Sequence, residues 1–411
     1  MATAKYVILG GGMVAGYAAK EFAERGAGHE LLIVSSDDVP PYERPPLSKG
    51  FLAGTDDEAS VFINPEAWYG EQGITLRPRT IIERVDPGGK CLVVQGGGEI
   101  TFEKLLIATG AHVRTFNTPG ATLDGIFYLR SLDDSKRIKA TYSQARNAVV
   151  AGSGFIGMET AAVLAQQGIA TTMVFPEDRV WERVFTPEMS AFFETYYEGN
   201  AVAFRKNDTI AQFEGDGRVG TAITASGARL DADLVIAGIG VVPAVEHLKD
   251  SGLELNNGVV VNEYLETNAP DVYAAGDVAN YRDVVFDKQR RVEHWDNAVE
   301  QGKHAARVML GDRMPFSHVP YFFSDVFDLS YELWGDASGA EDVAIRGDVT
   351  TNSFSVWWLR GGQLVAAFVM NRPDEERDAA PAWIEAHRRV SADRLRDDTR
   401  PLASAVESPA A

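Results

Sequence analysis

Residues 5–16 read Lys5-Tyr6-Val7-Ile8-Leu9-Gly10-Gly11-Gly12-Met13-Val14-Ala15-Gly16. The apolar half of this stretch predicts a strand, and the glycines predict a tight turn directly after it. A helical pattern follows to about Arg25, and a second apolar run at 31–34 predicts another strand that closes on Asp37. Strand, glycine turn, helix, strand and acid in this order form the context that a dinucleotide-binding fingerprint requires.

Each position of this turn has a physical reason. In the pattern Gly10-x-Gly12-x-x-Ala15, the first glycine permits the tight turn and the second lets a pyrophosphate approach the backbone. The small third residue lets helix and strand pack closely, and the helix N-terminus offers unpaired N–H groups to phosphate. Asp37 is placed to accept hydrogen bonds from ribose hydroxyls. A glycine-rich turn followed by a solvated acid is the plainer interpretation, which one fingerprint alone does not exclude.

The same pattern returns in the middle of the chain. A strand at 147–151 leads into a second glycine turn, a helix continues to about Gln167, and a strand at 171–175 is followed by Glu177. The second turn contains Gly152, Ser153, Gly154, Phe155, Ile156 and Gly157. Two complete copies in full context predict two dinucleotide sites in one chain.

Two nucleotide sites indicate hydride transfer between two cofactors. A nicotinamide is a diffusible hydride donor and a flavin is a bound acceptor, so the pair indicates an electron-transfer enzyme. Glu177 favours the free 2′-hydroxyl of NADH, because its carboxylate repels a 2′-phosphate. Arg179 and Arg183 are close in sequence and able to soften that repulsion, so NADPH stays open as an alternative.

The composition restricts the classes of function. The chain has 411 residues with 39 Lys and Arg, 59 Asp and Glu and a net charge of −20, which argues against nucleic acid and anionic membranes as partners. No apolar run approaches the roughly 18 residues of a membrane span. The single cysteine, Cys91, excludes an internal disulfide and a multi-cysteine metal site, and is typical of a cytoplasmic protein.

Longer motifs carry a family resemblance over roughly residues 5–370. They are Pro41-Tyr42-Glu43-Arg44-Pro45-Pro46-Leu47-Ser48-Lys49, Ala108-Thr109-Gly110, Gly276-Asp277, Arg291-Val292-Glu293-His294-Trp295 and Phe327-Asp328-Leu329-Ser330. With the two fingerprints, they make the chain resemble FAD-dependent pyridine-nucleotide oxidoreductases of the ferredoxin-reductase and apoptosis-inducing-factor type. It resembles monodehydroascorbate reductases even more closely. The resemblance implies hydride transfer from NADH to FAD, and then single-electron transfer to an acceptor.

The resemblance also assigns residues to the two cofactors. It implies that FAD is held or tuned by Gly10, Gly12, Ala15, Asp37, Arg44, Lys49, Ala108, Thr109, Gly110, Arg130, Gly276, Asp277, Glu293, His294 and Trp295. It implies that NADH is held by Gly152, Gly154, Phe155, Ile156, Gly157, Glu177, Arg183 and Gly240. Lys49 would lie beside the reactive edge of the flavin and be oriented by Glu159, which makes these two the catalytic candidates. A surface lysine and an ordinary helix glutamate are the plainer alternative.

The electron acceptor stays open at this stage. Residues 40–49 contain no cysteine, so redox-disulfide chemistry is excluded and electrons leave from the flavin itself. Monodehydroascorbate reductases have an arginine where this chain has Asp325 and a tyrosine where it has Trp357. An acid at the first position repels an ascorbate radical anion, which favours a small iron–sulfur carrier such as ferredoxin. Arg282, Arg290 and Arg291 are candidate contacts for such a carrier, although a solvated loop of mixed charge explains them equally well.

Two other functions remain as alternatives, namely monodehydroascorbate reduction and an NADH-responsive redox-sensing flavoprotein. The predicted fold class is α/β, with two doubly wound Rossmann-like nucleotide-binding domains of the glutathione-reductase type and a C-terminal α+β domain. We expect an FAD-binding domain at 1–112 and 241–313 and an NAD(P)H-binding domain at 113–240. A C-terminal interface domain is expected at 314–392 and a loose tail at 393–411, and a homodimer is left open.

Overall fold

The computed structural model describes residues 2–407 of the chain. Its strands are β1 Ala2–Leu9, β2 Leu31–Val34, β3 Thr75–Arg77, β4 Ile82–Asp86, β5 Cys91–Val94, β6 Glu99–Ile107, β7 Ala111–Val113, β8 Ile126–Tyr128, β9 Asn147–Ala151, β10 Ala170–Val174, β11 Val202–Arg205, β12 Ile210–Glu214, β13 Thr221–Thr224, β14 Arg229–Asp231, β15 Leu234–Ala237, β16 Val241–Pro243, β17 Val259–Val261, β18 Val272–Ala274, β19 Ala279–Asp283, β20 Lys288–Arg290, β21 Tyr321–Val326, β22 Leu329–Gly335, β23 Asp342–Asp348, β24 Ser353–Arg360 and β25 Gln363–Met370. Its α-helices are α1 Met13–Glu24, α2 Gly50–Ala53, α3 Glu66–Glu71, α4 Leu132–Tyr142, α5 Phe155–Gln166, α6 Pro187–Gly199, α7 Trp295–Met309, α8 Asp374–Glu385 and α9 Ala392–Arg396.

The described chain divides into two compact units. The first unit comprises residues 2–44, 57–112 and 241–320, and the second comprises residues 45–56, 113–240 and 321–407. The predicted NAD(P)H-binding segment therefore shares a unit with the C-terminal sheet. The expected domains at 1–112 with 241–313, at 113–240 and at 314–392 stay predictions.

The first unit is built on a sheet whose parallel strands run in the order β3, β2, β1, β6, with β18 parallel to β6. The antiparallel hairpin β4–β5 extends the sheet beside the first half of β6. Chain order reverses between β1 and β6, and ligands of open α/β sheets bind at such a reversal, beyond the carboxyl ends of the strands. Helix α1 packs on α7, where Gly302 permits close contact, because a Cβ there would lie 2.7 Å from the Val14 carbonyl oxygen.

The second unit contains a fully parallel sheet in the order β11, β10, β9, β15, β8. Chain order reverses between β9 and β15, which repeats the arrangement around β1 in the first unit. Strands β9, β10 and β15 contribute Val149, Ala151, Val174 and Val235 to a buried apolar cluster. The antiparallel strands β12, β13 and β14 form a small separate sheet, and Phe213 and Ala222 from them pack in the same cluster.

The C-terminal part of the second unit is an antiparallel sheet in the order β21, β22, β25, β24, β23. Gly361 and Gly362 join β24 to β25, with φ angles of +56° and +78°. Two positive φ angles are what a two-residue hairpin turn of this kind requires, and glycine adopts them without steric strain. Arg360 and Gln363 flank this turn and pair with each other across the hairpin.

The predicted loose tail is wrong over its described part. Residues 392–396 form α9, and the side chains of Leu395, Leu402 and Ala405 are buried. The buried Arg346 guanidinium donates to the carbonyl oxygens of Leu395, Asp397 and Arg400 at 3.3, 2.8 and 2.6 Å. These short segments are held by single buried side chains and by carbonyl oxygens that accept hydrogen bonds from Arg346. They therefore have no apolar periodicity from which their structure could be predicted. Residues 408–411 of the predicted tail lie outside the described residues.

The α/β class with two Rossmann-like sheets is confirmed. Among residues 2–407, no helix combines the length and the apolar character that a membrane span requires.

Candidate functional site

The first glycine turn lies at the carboxyl end of β1, in the first unit. Gly10 has a φ angle of +132°, and a Cβ there would lie 2.2 Å from the Ala108 carbonyl oxygen. A Cβ on Gly11 would lie 2.1 Å from the Ser35 hydroxyl oxygen. A Cβ on Gly12, directly before α1, would meet nothing nearer than the Arg44 guanidinium at 3.9 Å. The turn is packed on one side and open at Gly12, so its backbone N–H groups form a cradle that fits a pyrophosphate.

The second glycine turn repeats this geometry in the second unit. Gly152, at the end of β9, has a φ angle of +107°, and a Cβ there would lie 2.2 Å from the Gly238 carbonyl oxygen. Around Gly154, directly before α5, a Cβ would meet nothing within 4 Å. A Cβ on Gly157 would lie 2.2 Å from the Gly152 carbonyl oxygen, so only glycine lets α5 approach the turn this closely. Both turns therefore fit a dinucleotide.

Asp37 and Glu177 each lie three residues beyond the end of the preceding strand, not at its last residue. Strand β2 ends at Val34 and β10 at Val174, and Asp37 and Glu177 lie in the turns that follow. The Asp37 carbonyl oxygen accepts the N–H of Arg79, and the Glu177 carbonyl oxygen accepts the N–H of Asn207, at 2.9 and 3.1 Å. The same backbone contact thus fixes each acid-bearing turn.

The two arginines near Glu177 have different surroundings. The Arg179 guanidinium donates to the Glu182 carboxylate and carbonyl oxygen, each at 3.0 Å, and to the Phe185 carbonyl oxygen at 3.4 Å. Arg183 is exposed. The Glu177 carboxylate accepts a hydrogen bond from the Ser153 hydroxyl of the glycine turn at 3.4 Å. Arg179 is thus engaged in its own loop.

Several other predicted FAD residues also lie in the first unit. Gly276 has a φ angle of +78°, and its N–H donates to the Gln301 side-chain oxygen at 2.8 Å. Asp277 follows it in a single 3₁₀ turn and is half-buried. The Thr109 hydroxyl donates to the Ala244 carbonyl oxygen at 2.9 Å, and the Gly110 carbonyl oxygen accepts the N–H of Ala244 at 3.0 Å.

Glu43 joins two aromatic side chains in the first unit. Its carboxylate accepts the hydroxyl of Tyr17 and the indole N–H of Trp295, both at 2.6 Å. Burial and the Glu43 hydrogen bond raise the pKa of Tyr17. Trp295 is the first residue of α7, and the His294 imidazole before it accepts the N–H of Asp296 at 3.4 Å. Glu43 was not among the predicted site residues, although it lies within the motif at 41–49.

The remaining predicted residues are placed as follows. The Arg44 guanidinium lies over the Tyr42 ring, 5.1 Å from its centroid. Arg130 belongs to the second unit, where its N–H donates to the Asp134 carboxylate at 3.2 Å beside the start of α4. Gly240 has a φ angle of +95°, and its carbonyl oxygen accepts the N–H of Arg114 at 2.9 Å.

The candidate carrier contacts are paired with acids. Arg282 pairs with Asp287, Arg290 with Asp283, and Arg291 with the exposed Glu293. The β19–β20 hairpin and the residues that follow it therefore carry mixed charge, with three of the cations paired, and are not a basic patch.

The Lys49–Glu159 pair lies in the second unit. The Lys49 ammonium is 3.5 Å from the Glu159 carboxylate, which is almost fully buried on α5. The hydroxyls of Ser48 and Ser324 donate to the two oxygens of that carboxylate at 2.5 and 2.6 Å. Burial raises the pKa of Glu159, while Lys49, Ser324 and Ser48 act in the opposite direction. The two serines were missed because both contacts join residues far apart in sequence.

Strand β21 completes the surroundings of Lys49. The ammonium lies 4.3 Å from the centroid of the Phe323 ring and 3.5 Å from the Asp325 carboxylate. Lys49 therefore contacts two carboxylates and an aromatic face, which attract its positive charge.

Comparison with known families decides the classification. Residues 4–302 match the pyridine nucleotide-disulphide oxidoreductase family, and residues 321–406 match the reductase C-terminal family. The chain belongs to the pyridine nucleotide-disulphide oxidoreductases. It is thus an oxidoreductase of an FAD-binding family that uses NAD(P)H.

Two curated relatives of different activity match nearly the whole chain. A monodehydroascorbate reductase of Solanum lycopersicum is 34% identical over 433 residues, covering 98% of this chain and 99% of the relative. The ferredoxin reductase subunit of a 5,5′-dehydrodivanillate O-demethylase from Sphingobium sp. is 35% identical, covering 96% and 97%.

Two solved structures show the same fold across almost the full length. The covalent putidaredoxin reductase–putidaredoxin complex matches with a TM-score of 0.93 and 30% identity, covering 98% of this oxidoreductase and 99% of that chain. The ferredoxin reductase for the CYP199A2 system from Rhodopseudomonas palustris matches with a TM-score of 0.92 and 30% identity, covering 99% and 100%.

This oxidoreductase cannot use the internal disulfide that its family name mentions. Cys91 is the single cysteine of the sequence. It is buried at the start of β5, and burial raises the pKa of its thiol, which disfavours the reactive thiolate.

Proposed function

We propose that the protein is an NADH-dependent flavoprotein reductase that passes electrons one at a time to a small iron–sulfur carrier. The observation that carries the proposal is a combination of three features in one chain. These are two glycine turns that fit a dinucleotide, the Lys49–Glu159 pair, and a single cysteine that cannot form a redox disulfide. When bound, FAD supplies the capacity to accept two electrons as a hydride and to release them one at a time.

The residues of each cradle have defined tasks under this proposal. The N–H groups at Gly12 and at the start of α1 bind the FAD pyrophosphate, and the Asp37 carboxylate accepts the ribose hydroxyls. In the second unit, Gly154 and the start of α5 bind the nicotinamide nucleotide in the same way. Preorganised binding of this kind lowers the barrier by fixing the reactants in orientation.

Lys49 supplies a fixed positive charge for the reduced flavin. Its ammonium is oriented by a carboxylate that two serine hydroxyls hold in place. A charge fixed in this way stabilises negative charge that develops nearby without reorganisation during the reaction. Glu159 acts through Lys49 and is a positioning residue.

The preference for NADH rests on Glu177. Its carboxylate suits a free 2′-hydroxyl and repels a 2′-phosphate. The Arg179 guanidinium is engaged with Glu182 and two carbonyl oxygens of its own loop, so it does not offer a phosphate the usual bidentate contact. Of the two arginines close to Glu177 in sequence, exposed Arg183 is then the one proposed to meet a 2′-phosphate.

The carrier is proposed from the relatives and from Asp325. Relatives named ferredoxin reductases, and a putidaredoxin reductase in complex with putidaredoxin, match nearly the full chain. Monodehydroascorbate reduction is the second candidate, favoured by the similarity to the tomato enzyme over 98% of the chain. The exposed Asp325 carboxylate argues against it, because it repels a radical anion.

The experiment is anaerobic stopped-flow reduction of the FAD-loaded protein by NADH. The reduced protein is then mixed in parallel with a ferredoxin, a source of ascorbate radical and ferricyanide. Rapid reoxidation by the ferredoxin supports the carrier reductase, and selective speed with the radical supports the second candidate. A long-lived reduced state that only ferricyanide discharges points to a redox sensor, and failure to bind flavin overturns the proposal.

A further inference from the structure

Lys49 is shared between a buried and an exposed carboxylate. Its ammonium lies 3.5 Å from Glu159, whose side chain is 7% exposed, and 3.5 Å from Asp325, whose side chain is 55% exposed. The Lys49 side chain itself is 14% exposed. The charge that meets solvent most fully at this cluster is therefore the Asp325 carboxylate and not the lysine ammonium.

The backbone of β21 explains this arrangement. Strand β21 is at the edge of its sheet, and alternate side chains of a strand point to opposite faces. Phe323 and Asp325 share one face and contact Lys49, while Ser324 between them is fully buried and donates to Glu159. The register across to β22, which pairs Asp325 with Ser330, fixes the carboxylate on the exposed face.

The cluster of Lys49, Glu159 and Asp325 has no net positive charge in either protonation state of Glu159. It therefore does not provide a cationic binding site for an anion. With Glu159 ionised, one ammonium faces two carboxylates and the cluster carries −1. With Glu159 protonated, the Lys49 and Asp325 charges cancel. In neither case does the exposed side of the cluster attract an anion.

We propose that Asp325 is a specificity-determining residue that selects against anionic electron acceptors and favours acceptors that present positive charge at this cluster. The inference rests on the proposed reductase function and deepens it by naming the acceptor class. The overall reaction stays balanced, because one NADH reduces two one-electron acceptors and yields NAD⁺ and one proton. Asp325 changes which acceptor approaches, not the transfer from NADH.

The test compares acceptors of opposite charge on the FAD-loaded protein. Ferricyanide is a trianion, hexaammineruthenium(III) is a trication, and 1,4-benzoquinone is neutral. We expect Asp325→Asn to raise kcat/KM for ferricyanide about tenfold at low ionic strength and to lower it similarly for hexaammineruthenium(III). Benzoquinone, which carries no charge, serves as the reference against which both rates are expressed. Both shifts should shrink at about 0.5 M salt, where screening acts within a few ångströms.

Two further variants separate charge selection from general effects. Asp378→Asn removes one charge from an exposed aspartate on α8 of the same unit, and should leave the ratio of the two metal-complex rates within twofold. Asp325→Glu keeps the charge and should keep the preference.

The outcomes also separate this inference from the proposed function. If Asp325→Asn leaves the ferricyanide to hexaammineruthenium(III) ratio unchanged, or if Asp378→Asn shifts it equally, the inference is overturned while NADH oxidation with benzoquinone still supports the reductase. If the unsubstituted protein oxidises NADH with none of the three acceptors, the proposed function fails.

Discussion

Replacing Lys49 by methionine leaves the Glu159 carboxylate buried without its cation, and stability should then depend on pH. Burial already raises the pKa of Glu159, and Lys49 opposes that rise. Removing the ammonium therefore raises the pKa further. A carboxyl whose folded pKa exceeds its unfolded value binds more protons when folded, so stability falls as pH rises between the two values.

The size of the effect follows from the buried pair. A buried charge that loses its partner destabilises by about 3–5 kcal/mol, but protonation of Glu159 limits the loss at low pH. One proton changes the free energy of unfolding by at most about 1.4 kcal/mol per pH unit. We expect Lys49→Met to lower the free energy of unfolding by about 1 kcal/mol at pH 5 and about 3 kcal/mol at pH 7.

The assay is urea unfolding of the FAD-loaded protein, followed by far-UV circular dichroism at pH 5, 6 and 7. Lys139→Met is the matched control, because the Lys139 ammonium bonds the neutral Phe51 carbonyl oxygen at 3.0 Å and should give a pH-independent loss. The double variant Lys49→Met/Glu159→Gln should lose the added pH dependence. An equal destabilisation by Lys49→Met at pH 5 and pH 7 would refute the reasoning.

Four further outcomes are expected. Glu177→Gln should raise kcat/KM for NADPH relative to NADH about tenfold, because it removes the charge that opposes a 2′-phosphate, and an unchanged ratio in steady-state assays would contradict this. Gly12→Ala should weaken FAD binding in a titration while the apoprotein keeps its melting temperature, since the added Cβ enters the open cradle. Gly10→Ala should instead lower the melting temperature of the apoprotein itself, because that Cβ collides with the Ala108 carbonyl oxygen. Arg346→Met should lower the free energy of unfolding by about 3 kcal/mol, and increase limited proteolysis within 392–407, because it removes the donor to three carbonyl oxygens and leaves the buried Glu376 with one cation fewer. Equal proteolysis of the variant and the unsubstituted protein would count against that role.

Local sequence was sufficient to predict the two glycine turns. A positive φ angle at Gly10 or Gly152 and an open helix start at Gly12 or Gly154 are properties of a few consecutive residues. The fingerprint pattern reports such local backbone geometry directly, so fold class and glycine turns could be predicted without any contact at long range.

Contacts between distant residues could not be predicted in the same way. Glu159 receives hydrogen bonds from Ser48, 111 positions away, and from Ser324, 165 positions away. Gly11 is required by the side chain of Ser35, the residue directly after β2, although the fingerprint treats that position as variable. The segment at 393–411 was predicted to be loose, because the contacts that hold its described part are three carbonyl oxygens bound by Arg346, which leave no periodic pattern in the sequence.

The central claim is that the two cradles bind FAD and NADH so that one reduces the other. Its most direct measurement is the flavin absorption of the FAD-loaded protein during an anaerobic titration with NADH. We expect the absorption near 450 nm to be lost at one NADH per flavin, and the response to NADPH at equal concentration to be much weaker. Protein that folds but binds no FAD, or bound flavin that NADH leaves oxidised, would contradict it.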